Sequence, residues 1–404
     1  MIGYIKAFAK WMVLAVVVGL LGGVIGSIFH MAIDIATEFR ALNPWLIYLL
    51  PIGGLFIAGC YRLAKSKGHI DTNRVLDAAR DDEKVPLVMA PLIAVGTAVT
   101  HLFGGSAGRE GAALQLGGSI GYNVGKLFRL GKSDIHIIVM AGMSGVFAAL
   151  FGTPVTAAFF SIEVISVGAM HYAAIVPCLM SALVASRIAV FMGLHPVRFE
   201  LAAVEAISAL SVSKVLILAL LCAVVGIVFC VAIHKCDHLM DRFLPNSFVR
   251  VFAGGAIVVL ITLIVGSYDY NGAGMDVITR AISGEAKWEA FILKILFTAI
   301  TIAAGFKGGE IVPAFFVGST FGCVMGMLLG ITPGFAAAIG FIAVFCSVVN
   351  CPVASLILSV EVFGGEGFIF FAVACGVSYM MSGRFGLYKS QEFIYSKISD
   401  EPLN

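Results

Sequence analysis

Apolar segments divide nearly all of this chain, and most are too short or too interrupted to be simple crossings of a bilayer. They run at 11–35, 45–64, 87–103, 110–128, 134–150, 154–167 and 172–193, then at 214–235, 252–267, 288–306, 310–330, 334–349, 352–363 and 367–383. A helix that crosses alone needs about 20 consecutive apolar residues. Several of these segments fall short of that, and many carry Gly or Pro. Backbone that stops at membrane depth survives only where other protein or an internal cavity satisfies its N–H and C=O groups. The pattern predicts an all-α, polytopic membrane protein whose short and re-entrant helices line a cavity.

Composition narrows the function classes. Of 404 residues, 60% are hydrophobic and 12% charged, which no water-soluble fold matches. A net charge of +2, spread over short loops, leaves no footprint for nucleic acid. No stretch is polar enough for a soluble regulatory domain, and the tail after Arg384 is too short to fold alone. The nine cysteines form no CxxC pair and read as small core hydrophobes. His234 and His238 are four apart but lack the carboxylate of a zinc protease pattern, so neither a metal nor a cofactor is expected. Lys6 and Lys10 precede a first span too long for a signal peptide. Only Arg40 lies between the first two spans, whereas Arg62, Lys65, Lys67, Arg74, Arg80 and Lys84 follow the second. Basic loops favour the cytoplasmic side, which places the N-terminus and the 65–86 loop there.

The chain also repeats itself. Gly108-Arg109-Glu110-Gly111 matches Gly308-Gly309-Glu310-Ile311, and Gly118-Ser119 matches Gly318-Ser319, both at an offset of 200. Thr153-Pro154-Val155 with Ser161-Ile162-Glu163-Val164 matches Cys351-Pro352-Val353 with Ser359-Val360-Glu361-Val362, at an offset of 198. Seven segments per half is an odd number, so if all cross, the second half begins on the opposite side from the first. Residues 1–205 and 206–404 then form two inverted membrane repeats, an arrangement whose site lies near the midplane.

Glu110 and Glu310 occupy matching places in this repeat. Each follows glycine and opens an apolar segment. An ionisable side chain at membrane depth costs about 2.5–3.5 kcal/mol and usually marks an ion or proton path. Helix N-termini carry partial positive charge and unpaired N–H donors, so two that meet make an anion site. A carboxylate there can plug the site when charged and carry a proton when neutral. The alternative is plain ion pairing, Glu110 with Arg109 and Glu310 with Lys307, although adjacent helix residues do not face each other. Glu163 and Glu361, also repeat-related, are expected to hydrogen-bond backbone at helix ends. Tyr388, just beyond the last apolar segment, can donate its phenol O–H to an anion or sit as an interfacial aromatic. No positioned nucleophile accompanies the glutamates, which argues against an enzyme.

The run from His101 to Gly111, followed by Gln115-Leu116-Gly117-Gly118, resembles the gating-glutamate motif of the CLC anion channel and transporter family, with Ala112 in place of the usual proline. The resemblance spans about residues 11 to 390 and includes Tyr388 at the place of the family's anion-binding tyrosine. It implies an inverted-repeat fold, a homodimer with one pore per subunit, and Glu110 as the external gate. Two departures from the chloride members matter. Gly68-His69-Ile70-Asp71-Thr72-Asn73-Arg74 replaces their serine motif, and Gly309-Glu310-Ile311-Val312-Pro313 adds a glutamate where they carry phenylalanine-containing sequence. Both resemble the bacterial fluoride-exporting branch. The resemblance therefore implies a fluoride/proton antiporter of the bacterial inner membrane that confers fluoride resistance, or alternatively a chloride/proton exchanger or passive anion channel. Proton transfer and gating fall to Glu110 and Glu310. Anion binding falls to Tyr388, Ile311, Val312, Arg109, Gly111 and, by register, Ile70 or Thr72. Asp71 would repel an anion and is expected to point away.

Overall fold

The computed structural model describes residues 1–64, 71–81, 83–399 and 401–402. Its sixteen described α-helices fall into two runs of eight. The first is α1 (Ile2–Leu42), α2 (Leu50–Leu63), α3 (Thr72–Arg80), α4 (Met89–Leu102), α5 (Glu110–Leu127), α6 (Lys132–Phe151), α7 (Pro154–Glu163) and α8 (Ile175–Phe191). The second is α9 (Ala209–Phe243), α10 (Ser247–Val265), α11 (Met275–Ile282), α12 (Ala290–Ala303), α13 (Ile311–Leu329), α14 (Pro333–Val349), α15 (Pro352–Phe363) and α16 (Phe368–Met381). Each run opens with its longest helix, 41 residues in α1 and 35 in α9. Among the described residues seven helical stretches are long and apolar enough to cross a membrane, and further apolar helices are shorter, as the interrupted segments required.

Two elements were not visible as apolar segments. Helices α3 and α11 have nine and eight residues, about 12–14 Å of helix, far short of a crossing. Both are half polar, which hid them in the sequence. Val75, Leu76, Ala78 and Ala79 point inward from α3, and Val277, Ile278, Ala281 and Ile282 from α11. Each run thus holds eight helices rather than seven.

Local chemistry sets the boundaries. Pro154, Pro333 and Pro352 sit in the first turns of α7, α14 and α15, where no N–H is needed. The ends of α6, α10 and α13 are left-handed glycines at 152, 266 and 330, and α14 ends on Asn350 in the same conformation. At the centre, α5 packs on α6 and α13 on α14 through backbone. A Cβ on Gly117 would meet the Gly142 carbonyl oxygen at 2.2 Å, and one on Gly318 would meet that of Gly340 at 2.3 Å. Small residues let membrane helices approach this closely.

The two halves are also tied by side-chain hydrogen bonds to backbone. Glu163, at the end of α7, accepts hydrogen bonds from the Val353 and Ala354 N–H groups at the start of α15 (3.1 and 2.8 Å). Glu361 in α15 accepts from Val155 and Thr156 at the start of α7 (3.0 and 2.8 Å). Each glutamate caps the helix that carries the other, the backbone role expected for both. Finally, a two-residue strand β1 (Ser166–Val167) pairs in parallel with β2 (Glu392–Phe393), which lashes the C-terminal tail to the first half.

Candidate functional site

The loops that precede α5 and α13 meet. Gly108 and Gly309 exchange both backbone hydrogen bonds, N–H to O at 2.7 and 2.8 Å. A Cβ on Gly309 would lie 2.4 Å from the Gly111 nitrogen, so only glycine permits the contact. The helix tips are therefore held against each other with their free N–H groups converging.

This contact corrects the sequence register. Gly108 pairs with Gly309, α5 starts at 110 and α13 at 311, so the two tips correspond at 201 residues rather than 200. Glu110 stands in the first turn of α5, at the place of Ile311. Glu310 is the residue capping α13, at the place of Arg109. The two glutamates are neighbours in the site without being equivalents. Helix packing and the paired glycines set the register, which the shared Gly-x-Glu letters had obscured. The 198 offset further on follows from α6 having 20 residues and α14 only 17.

Glu110 is fully buried. Its carboxylate folds back so that Oε2 accepts from the Arg109 N–H at 2.9 Å and from the Val312 N–H at 3.3 Å. Donors from both tips thus converge on one oxygen, the arrangement a small anion would find. Its Oε1 is buried with no partner. The Arg109 guanidinium pairs with Asp34 at 2.9 Å, so the hydrogen bond that Arg109 gives the carboxylate comes from its backbone N–H. Glu310 is half-buried at the tip of α13. The Lys307 ammonium sits over the Tyr61 ring instead, at 4.5 Å, so neither proposed glutamate pairing describes these side chains. Ile311 and Val312 form the first, buried turn of α13.

Thr72 opens α3 beside the α5 tip. Its hydroxyl faces the Gly111 carbonyl at 3.5 Å and accepts from the Gln115 amide at 3.1 Å. Asp71 caps α3, accepting from the Arg74 N–H at 3.2 Å, which directs its charge into its own helix. Ile70 lies outside the described residues. The Tyr388 hydroxyl is buried without a hydrogen-bond partner, and both Glu110 and Glu310 lie within electrostatic reach of it. A buried donor held unpaired is costly unless something else binds it.

Several contributors escaped sequence reasoning. The Tyr388 loop is clamped by α3: Asn73 Oδ1 accepts from the Ser390 N–H (3.0 Å), Asp77 accepts from the Ser390 hydroxyl (3.0 Å), and Arg80 donates to the Ser390 carbonyl (2.9 Å). Across the loop, Gln391 donates to the Val164 and Val349 carbonyls at 3.1 and 2.8 Å. Glu110 also lines a cavity of about 420 Å³, its wall including Asp34, Arg40, His101 and Asn271. Asp34, an acid inside the long apolar α1, carried a signal that could have been read, but it was not singled out. The 266–274 loop roofs this cavity. Fully buried Lys294 holds the loop by donating to the Gly272 and Tyr270 carbonyls at 2.7 and 3.2 Å. Burial would push the Asp269 carboxyl up, but the hydrogen bond from Lys287 and the charge of Arg280 outweigh it and hold the group below its usual value. Among the described residues no cluster of side chains could hold a metal ion.

Comparisons with known proteins fit this geometry. The family model described as voltage gated chloride channel matches residues 53–383. A chloride/fluoride channel protein of Pseudomonas syringae pv. tomato is 36% identical over 96% of this chain and 88% of its own length. An H(+)/Cl(-) exchange transporter of Vibrio cholerae is 24% identical over 86% of this chain and 81% of its own. Among solved structures, that of a CLC-type fluoride/proton antiporter superposes with a TM-score of 0.90 at 31% identity, covering 95% of this chain and 98% of the other. A slow cyanobacterial Cl-/H+ antiporter shares the fold, with a TM-score of 0.80 at 21% identity over 92% and 94%. Paired glycines, a buried carboxylate held by donors from two facing helix tips, and a matched model over most of the sequence lead to one assignment: this polytopic membrane chain belongs to the CLC family.

Proposed function

We propose that the protein is a fluoride/proton antiporter that exports fluoride from the bacterial cytoplasm, driven by inward proton movement. The observation that carries this reading is the Glu110 carboxylate seated on donors from both helix tips. Fluoride is the smallest halide and a strong hydrogen-bond acceptor, so it competes for those N–H groups with the carboxylate. Protonation neutralises Glu110 and releases it from the donors, and the freed carboxylic acid carries the proton while fluoride takes its place. Glu310 provides a second carboxylate on the path, with Ile311, Val312 and Gly111 supplying backbone and Tyr388 and Thr72 supplying hydroxyls. The similarity to a fluoride/proton antiporter supports fluoride as the ion.

We take residues 1–205 and 206–404 as the two inverted repeats, the N-terminus as cytoplasmic, the bacterial inner membrane as the location and a homodimer as the working form. The test uses purified protein in fluoride-loaded vesicles, with a fluoride electrode and simultaneous pH recording. Fluoride efflux should move protons inward, and Glu110→Gln should abolish the proton signal. Equal chloride and fluoride fluxes would make it a chloride/proton exchanger. Large wild-type flux without proton movement would make it a passive channel.

A further inference from the structure

A second cavity, of about 450 Å³, opens between the last turns of α2, the start of α10 and the 304–307 link into α13. It does not share lining residues with the Glu110 cavity. Three cations line it, Arg62, Arg250 and Lys307, and its described lining contains no acidic residue. Among the described residues neither Arg62 nor Lys307 forms a close ion pair with a carboxylate, Asp71 and Glu310 acting on Lys307 only from a distance. Their charges rest on aromatic faces instead, Arg62 at 5.5 Å from the Phe248 ring and Lys307 at 4.5 Å from the Tyr61 ring. Arg250 pairs with Asp241, yet its Nε is buried with no acceptor, and the Tyr61 hydroxyl is buried with no partner. The wall therefore offers donors and positive charge and little that accepts.

Exposed Arg62 and half-buried Arg250 and Lys307 repel one another around one cavity unless an anion completes the set. Guanidinium forks match phosphate oxygens two at a time. The start of α10 adds its positive end, with Asn246 already capping the Phe248 N–H at 3.0 Å. The position is equally informative. Above the cavity α10 shows an apolar outer face, with Leu260 56% and Ile264 75% exposed, where an acyl chain would lie. Basic pockets between membrane helices are suited to anionic headgroups.

We propose that this cavity is a phosphate-binding site, filled by the headgroup of an anionic phospholipid or by free phosphate. Occupancy would neutralise Lys307, whose backbone N–H is fixed to the Thr100 hydroxyl at 3.2 Å and which stands three residues before Glu310. The site thus adjoins the α13 tip without belonging to it.

Native mass spectrometry with phosphatidylglycerol, and calorimetry with inorganic phosphate, test the proposal on the full chain. Each cation near a membrane surface is worth about 1 kcal/mol, or about fivefold in affinity. Arg62→Gln and Lys307→Gln should each weaken binding about fivefold, and together about 25-fold. Lys126→Gln with Arg187→Gln, two cations outside the lining, should bind as wild type does. Loss of lipid retention in the double variant identifies the headgroup as occupant, and loss of phosphate binding alone identifies the free ion. If neither ligand binds more weakly to the double variant than to the control, the site does not exist. Thermal melting in detergent identifies a double variant that fails to fold, and the single variants then carry the comparison.

Discussion

At the scale of single residues, the site is a contest for a few hydrogen bonds. Tyr388 illustrates the stakes, because its hydroxyl is buried and bonded to nothing in the protein. Tyr388→Phe should therefore leave thermal stability nearly unchanged. If the hydroxyl donates to the transported anion, the loss of a charge-assisted bond of about 1.5–3 kcal/mol should raise the half-saturating fluoride concentration tenfold or more. Fluoride dependence of efflux measures this, and an unchanged value would remove Tyr388 from the anion path. Glu110 was legible in sequence because an acid among glycines is rare at that depth, whereas Tyr388 read as an ordinary interfacial aromatic until the family resemblance singled it out. Thr72 was legible only as one of several neighbours, since a helix cap one residue away decides which side chain turns inward. Asp34 and the Asn73, Asp77 and Arg80 clamp were not singled out, because their partners lie far away in sequence: 75 residues separate Asp34 from Arg109, and more than 300 separate α3 from Ser390.

At the scale of elements, helices that end inside the protein need their terminal N–H groups satisfied. The α7 and α15 termini are each served by one carboxylate, both of whose oxygens are used. Glu163→Gln or Glu361→Gln keeps one acceptor oxygen and loses the charge and the second bond. Each should cost about 1–3 kcal/mol, read as a fall in melting temperature in detergent. The double variant should cost less or more than the sum, because the two caps join the same pair of helices. Strict additivity would mean that the caps act independently. The apolar helices were readable from hydropathy, whereas α3 and α11 were not, since short amphipathic helices give no apolar run. The one-residue shift between the tips was equally hidden. Identical letters suggested that Glu110 and Glu310 were counterparts, and only the Gly108–Gly309 pairing reveals that they occupy successive positions on their helices.

At the scale of the whole molecule, the repeat was visible because two motif blocks recurred at nearly one spacing, and the all-helical class followed from hydropathy. How the halves interlock was not, because it depends on contacts between residues some 200 apart. One consequence is the roof over the Glu110 cavity, where Asp269 binds Arg280 and Lys287 at 2.9 and 3.2 Å. Its folded pKa lies below the ordinary value of 3.8. The contribution is therefore complete above the unfolded value and is lost as pH falls through the lower folded one. Protease nicking of the 266–274 loop should rise only on that acid limb, and Asp269→Asn should show the higher susceptibility at neutral pH as well. A variant as resistant as wild type at neutral pH would mean that the ion pairs do not hold the loop. The exchanged glutamate caps carry a further consequence, for the order in which the ribosome delivers the chain. The start of α7 has to wait for Glu361, which is made 206 residues after Val155. An N-terminal half released into the bilayer by itself would be left with bare amide groups in an oily surrounding. A gene cut between the halves should therefore yield stable protein only when both pieces are co-expressed.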